Sequence, residues 1–139
     1  MGASFEEKSV WVQLVGLAAG LGAYFVVAGI MLANGVRVLA PFVPVFAVAL
    51  VFLITLMVVG HVLAAITRKP EAADERDRVI EWRAESHTAW MLPIGVFLAI
   101  TGLLFAFEPV WIAHLLLLSL FIAEMAKLAL QALYYRRGV

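Results

Sequence analysis

The chain contains no cysteine, which excludes structural disulfides, thiolate metal sites and cysteine nucleophiles. Charge is scarce as well. Only 14% of the 139 residues are Asp, Glu, Lys or Arg, against about 25% in soluble domains. Ten acids balance ten bases, so the basic excess expected of a nucleic-acid-binding protein is missing. Neither H-x-x-x-H nor E-x-x-H spacing occurs for a metal. No P-loop, dinucleotide glycine pattern or nucleophile motif is present. The sequence therefore predicts no metal, no cofactor, no nucleic-acid partner and no enzyme.

What the chain has instead is apolar length. Hydrophobic residues make up 65% and the mean hydropathy is +1.02, too much for a soluble core to hide. Lipid must be the solvent for most of that surface. Four runs, approximately 10–33, 42–66, 89–107 and 110–134, each reach the roughly 20 apolar residues a bilayer requires. Spanning segments must satisfy their own backbone, so they are expected to be helices. The first run exceeds a signal peptide's short apolar region and has an acidic flank, Glu6 and Glu7, so it is expected to be retained. The prediction is an all-α membrane protein of one domain, 1–139. It is a four-transmembrane-helix bundle built as two antiparallel hairpins.

Local signals refine this. Ser4-Phe5-Glu6-Glu7 reads as a capping box opening helix 1, with Trp11 at the interface. Gly16 and Gly20 form a small-residue face for close helix packing. Asn34-Gly35 predicts a left-handed cap, and Pro41 and Pro44 open the second helix. The segment 67–88 holds most of the charge. In it Asp74 reads as an N-cap with Glu75 and Asp77 in the first turn. With no breaker before Pro93, the spacing predicts one helix running from Asp74 into the third span. Pro93 is expected to kink that span and free the Ala89 carbonyl. Asp77, Glu81 and Glu85 share one face of the extension; Arg76, Arg83 and His87 share a neighbouring one.

Basic residues set the expected orientation. Lys8, Arg68, Lys69, Arg76, Arg78, Arg83, Arg136 and Arg137 fall on one side, and Arg37 alone falls on the other. Positive loops stay inside, which predicts both termini and the 67–88 segment in the cytoplasm of a multi-pass membrane protein.

Ionisable groups within a span are functional candidates by default. Here Gln13, His61, Glu85, His87, Glu124 and Lys127 are expected at similar depth in the cytoplasmic half, as a ligand- or ion-binding polar layer. The bland reading is also open: Glu124 and Lys127, three residues apart, neutralise each other, Lys127 snorkels, and His61 donates to a helix carbonyl.

The residues Phe5-Glu6-Glu7-Lys8, Asp74-Glu75-Arg76-Asp77 and Ile80-Glu81-x-Arg83-Ala84-Glu85 resemble an uncharacterised group of small bacterial inner-membrane proteins. Those have four helices and a D-E-R-D…R-A-E signature before the third span. The resemblance implies architecture and a bacterial inner-membrane location, and no substrate. It also draws attention to Asp74, Glu75, Arg76, Asp77, Glu81 and Glu85 as an interaction surface. In size and helix count the chain resembles the small multidrug transporters, but their glutamate in the first helix is absent here, where Gln13 stands without an internal acid. Two functions follow as expectations. One is an oligomeric transporter, channel-like or small-ligand-binding protein, a dimer or higher, using the polar layer. The other is a sensor, scaffold or regulatory subunit docking a cytoplasmic partner through 74–87.

Overall fold

A computed structural model describes residues 5–67 and 74–137. The expected capping serine, Ser4, and the basic pair Arg68 and Lys69 lie outside the described residues. Five helices follow one another: α1 (Phe5–Ala33), α2 (Phe42–Thr67), α3 (Glu75–Thr88), α4 (Met91–Leu104) and α5 (Pro109–Arg137). No strand occurs among the described residues. Four stretches are long and apolar enough to cross a membrane: α1, α2, α3 together with α4, and α5. Large apolar side chains cover the outside, among them Val48, Val51, Ile54, Val58 and Ile66 on α2 and Phe97 and Leu104 on α4. A helix that is apolar all round and still exposed needs lipid around it. Threonines and serines in the spans bond to their own helix, as Thr55 does to the Val51 carbonyl and Ser119 to the Leu115 carbonyl. Their hydroxyls therefore need no water.

Packing proceeds along a row. α2 packs on α1, α1 on α5, and α5 on both α4 and α3. The α1–α2 contact is antiparallel and uses glycine. A Cβ at Gly16 would touch Met57, and one at Gly20 would lie 2.7 Å from the Leu53 Cβ. The expected small-residue face is thus occupied within the chain. α2 answers with Gly60 against Val12, and α4 meets α5 where Gly95 faces Ser119. Two apolar clusters hold α1 to α5: Tyr24, Ala28, Phe42, Ala49 and Val110 at one end, and Val10, Leu128 and Ala132 at the other.

The turn after α1 matches the expected cap. Gly35 has φ +85°, and the N–H groups of Gly35 and Val36 donate to the carbonyls of Leu32 and Met31. The same bonding closes α4: Ala106 and Phe107 donate to Leu103 and Gly102. There the left-handed residue is Ala106, at φ 54°. This ends α4 at Leu104, short of the expected 107.

The helix expected from Asp74 into the third span runs as one stretch, Glu75–Leu104, with the expected kink at Ala89–Trp90, which separates α3 from α4 while both residues stay in the right-handed helical region. Pro93 supplies the reason: its ring displaces the carbonyl four residues earlier, at Ala89, and gives it no N–H partner. The neighbouring His87 carbonyl accepts from the Trp90 indole N–H at 2.8 Å.

Candidate functional site

α3 lies against the basic end of the bundle, and its own sequence sets how. The Asp74 carboxylate accepts from the Asp77 backbone N–H (2.8 Å), and the Asp77 carboxylate accepts from the Asp74 N–H (3.1 Å). This reciprocal cap fixes the first turn. Ile80, Ala84 and Thr88, at four-residue spacing, form its buried stripe. Ile80 is 0% exposed. The Tyr135 hydroxyl of α5 donates to Asp77 at 2.8 Å, and Arg76 reaches the Tyr135 carbonyl at 3.5 Å.

Between α1, α3 and α5 this docking frames a partly open polar cavity of about 130 Å³. Glu6, Gln13, Asp77, Glu81, Lys127, Gln131 and Tyr135 supply its polar lining, and Val10, Ile80 and Leu128 its apolar wall. Lys127 Nζ pairs with Glu124 Oε2 at 2.8 Å, so its charge is answered outside the carboxylate set. Glu6 stands in the polar turn ahead of the apolar run. Its partial burial, then the Asp77 and Glu81 carboxylates, push its carboxyl above the ordinary value, with His61 opposing. Gln131 is 7% exposed, and its amide has no hydrogen-bond partner among the described residues.

A chain of hydrogen bonds leads from the cavity wall to α2. His61 Nδ1 donates to the Met57 carbonyl at 2.8 Å, which turns Nε2 toward α1. The Ser9 hydroxyl hydrogen-bonds that nitrogen at 2.9 Å. Ser9 in turn accepts from the Gln13 amide nitrogen at 3.2 Å.

Of the expected polar layer, the structure brings Gln13 and Lys127 into the cavity wall, with Glu124 one interaction behind Lys127 and His61 two behind Gln13, through Ser9. Glu85 and His87 do not line it. They lie on the exposed side of α3, where His87 Nδ1 donates to the Arg83 carbonyl of its own helix. The expected interaction surface divides: Asp77 and Glu81 face the cavity, Asp74 caps, Arg76 reaches α5, and Glu75 and Glu85 stay exposed. Sequence reasoning missed Glu6, Gln131 and Tyr135 as lining residues. Spacing carried the signal: Lys127, Gln131 and Tyr135 recur every four residues on one face of α5, and Glu6 and Gln13 lie seven apart on α1.

The opposite end is built differently. Tyr24 and His114 are buried, and the Tyr24 hydroxyl sits 3.0 Å from His114 Nε2, whose Nδ1 bonds the Val110 carbonyl at 2.7 Å. Phe42 meets the imidazole edge-on. Arg37 lies over the Trp111 ring at 5.0 Å, and the Trp111 indole donates to Glu108 at 3.1 Å. A larger cavity of about 960 Å³ opens there between α4 and α5, lined chiefly by apolar side chains such as Leu98, Phe105, Phe107 and Ile112. It offers lipid-like surface, with little to recognise a polar solute. Among the described residues, no three His, Asp or Glu side chains gather as a metal-binding group.

Comparisons with protein families, with curated proteins and with solved structures gave no match.

Proposed function

We propose that this protein is a small-solute-binding membrane protein of transporter or channel-like class, and that its binding site is the polar cavity beneath α3. One observation carries the reading: Gln131, a residue only 7% exposed whose amide makes no hydrogen bond among the described residues, opens into a cavity walled by Glu6, Asp77 and Glu81. Its amide atoms reach the cavity space, so a solute seated there can take up their hydrogen bonds. The positive-inside rule puts this end in the cytoplasm. The resemblance to small bacterial inner-membrane proteins supports a bacterial inner membrane as its location.

Transport requires more than one chain. α2 and α4 each rest chiefly on a single neighbour and leave wide apolar faces, so a homo-oligomer, a dimer or higher, supplies the remaining wall of a pathway. Native mass spectrometry of protein released from nanodiscs reads subunit number and retained solutes together. The expected result is an oligomer with a reproducible non-lipid adduct that is lost in Gln131→Met. A protein without an adduct, indistinguishable from that variant, overturns the reading.

A second reading rests on the outward face of α3, where Trp82 is 69% exposed beside Glu85. That face suits docking of a cytoplasmic protein. Charge reversal at Glu85, with the cavity intact, would then release the partner and leave solute binding alone.

A further inference from the structure

The cavity's lining specifies more than an unnamed solute. Its charged members are Glu6, Asp77, Glu81 and Lys127. Lys127 is matched by Glu124 at 2.8 Å. Among the described residues Asp77 accepts from neutral donors alone, the Asp74 N–H and the Tyr135 hydroxyl, so no cation there pairs with it. Glu6 and Glu81 have neither a hydrogen bond nor an ion pair among the described residues. Among the described residues the lining therefore holds three carboxylates and no unmatched cation. The two amides add acceptors: Gln13 commits its nitrogen to Ser9, which leaves its carbonyl oxygen, and Gln131 has no hydrogen-bond partner among the described residues.

Shape narrows the class. The acids do not converge as a metal site, so a bare divalent ion lacks its ligand shell. At about 30 Å³ per water, a cavity of about 130 Å³ holds roughly four waters, or a solute with a few non-hydrogen atoms. A primary ammonium presents three N–H donors around one positive charge, enough for two carboxylates and one amide oxygen.

Resting on the reading that this cavity binds a solute, we propose that its ligand is a compact organic cation carrying a primary ammonium group, held by Glu6, Glu81 and the amide oxygen of Gln131. The alkyl part of such a cation meets Val10, Ile80 and Leu128. Partial burial, then the crowding by Asp77 and Glu81, raises the Glu6 carboxyl, and a seated cation relieves the crowding.

Isothermal titration calorimetry on the full chain in nanodiscs tests this with four probes. Methylammonium has both charge and donors, tetramethylammonium has charge alone, acetamide is neutral and acetate is an anion. Methylammonium is expected to bind at least about tenfold more tightly than tetramethylammonium, which is about 1.4 kcal/mol. Glu81→Gln is expected to weaken methylammonium by at least about the same factor, and Gln131→Met to weaken it as well. Glu75→Gln, on the exposed side of α3, leaves it unchanged. Equal affinity for tetramethylammonium, or binding of acetamide or acetate in its place, overturns the ammonium assignment while the solute-binding reading stands. Heat from none of the four, together with an adduct-free native mass, overturns both. Glu81 is exposed and its replacement is nearly isosteric, so this variant remains informative if Gln131→Met fails to fold.

Discussion

The Tyr135 hydroxyl donates to the Asp77 carboxylate at 2.8 Å across 58 residues of chain, tying the first turn of α3 to the last turns of α5. Asp77 is already oriented by its cap with Asp74, so the tyrosine meets a fixed acceptor. A hydrogen bond to a charged group is worth roughly 1.5–3 kcal/mol, and this one is partly exposed. Tyr135→Phe should therefore loosen α3 by about 1.5 kcal/mol, a little over tenfold in its opening equilibrium. Amide hydrogen exchange should speed up by that factor in α3 and stay unchanged in α2. Equal protection in the two proteins would mean that the buried stripe of Ile80, Ala84 and Thr88 and the Arg76 contact hold α3 down without this bond.

Glu6 gives the same end of the bundle a pH dependence. Its carboxyl is raised above the ordinary 4.5 by burial and by Asp77 and Glu81. A raised folded value means the folded state favours protonated Glu6. The associated stability is fully present below about 4.5 and is lost as pH rises through the folded value. Glu6→Gln keeps the uncharged form at all pH. The variant should match wild type near the acidic limit and exceed it in thermal midpoint toward neutrality. Parallel stability curves from about pH 4 to about pH 8 would show that Glu6 is not crowded.

Much of this was readable from the residues. The four spans follow from apolar runs, since nothing else places 20 such residues in water. The Asp74 cap and the Gly35 turn follow from side chains with few alternatives at those positions. The kink at Ala89–Trp90 follows from Pro93, because proline disturbs the turn before it. Residues from distant segments were harder. Gln131 and Glu6 are 125 positions apart in sequence, and only the docking of α3 onto α5 turns their separate faces into one cavity. His61 illustrates the same limit: its depth in α2 was legible, but its partner Ser9 depends on the antiparallel register that Gly16 and Gly20 permit.

That register makes a contrast between two glycines of α1. A methyl group at Gly20 meets Leu53 at 2.7 Å from its Cβ and 3.1 Å from its Cα, whereas one at Gly22 meets nothing within 4 Å. Overpacking costs typically 1–3 kcal/mol, so Gly20→Ala should destabilise by roughly that amount. Gly22→Ala should be neutral or gain up to about 1 kcal/mol from helix propensity. Thermal unfolding in detergent compares them directly. Equal effects would contradict the α1–α2 contact.

Ala106 closes α4 in a conformation that suits glycine. Its φ of 54° brings Cβ close to the following carbonyl, a clash of roughly 1–2 kcal/mol for a non-glycine residue. The added chain entropy of glycine offsets part of this when unfolded. Ala106→Gly should thus stabilise by about 1 kcal/mol, seen as a higher unfolding midpoint. A lower midpoint would mean the alanine methyl packs well enough to outweigh its strain.

Tyr24 and His114 join α1 to α5 at the end away from the polar cavity. Both are buried, at 4% and 8% exposure, and the His114 Nδ1 is committed to the Val110 carbonyl. Its Nε2 must then accept, and the Tyr24 hydroxyl at 3.0 Å is what it accepts from. Tyr24→Phe leaves that nitrogen unsatisfied among aromatic rings, at a cost of roughly 1–3 kcal/mol. His114→Leu strands the hydroxyl at a similar cost and also loses the edge contact to Phe42. Removing both polar groups leaves an apolar contact with nothing unsatisfied, so the double variant should be less destabilised than the sum by roughly 1–2 kcal/mol. Chemical denaturation of the four proteins in micelles closes the cycle. Additive losses would show that the two side chains act separately, and the helices would then be joined at that end by apolar packing around Val110 and Ala28 alone.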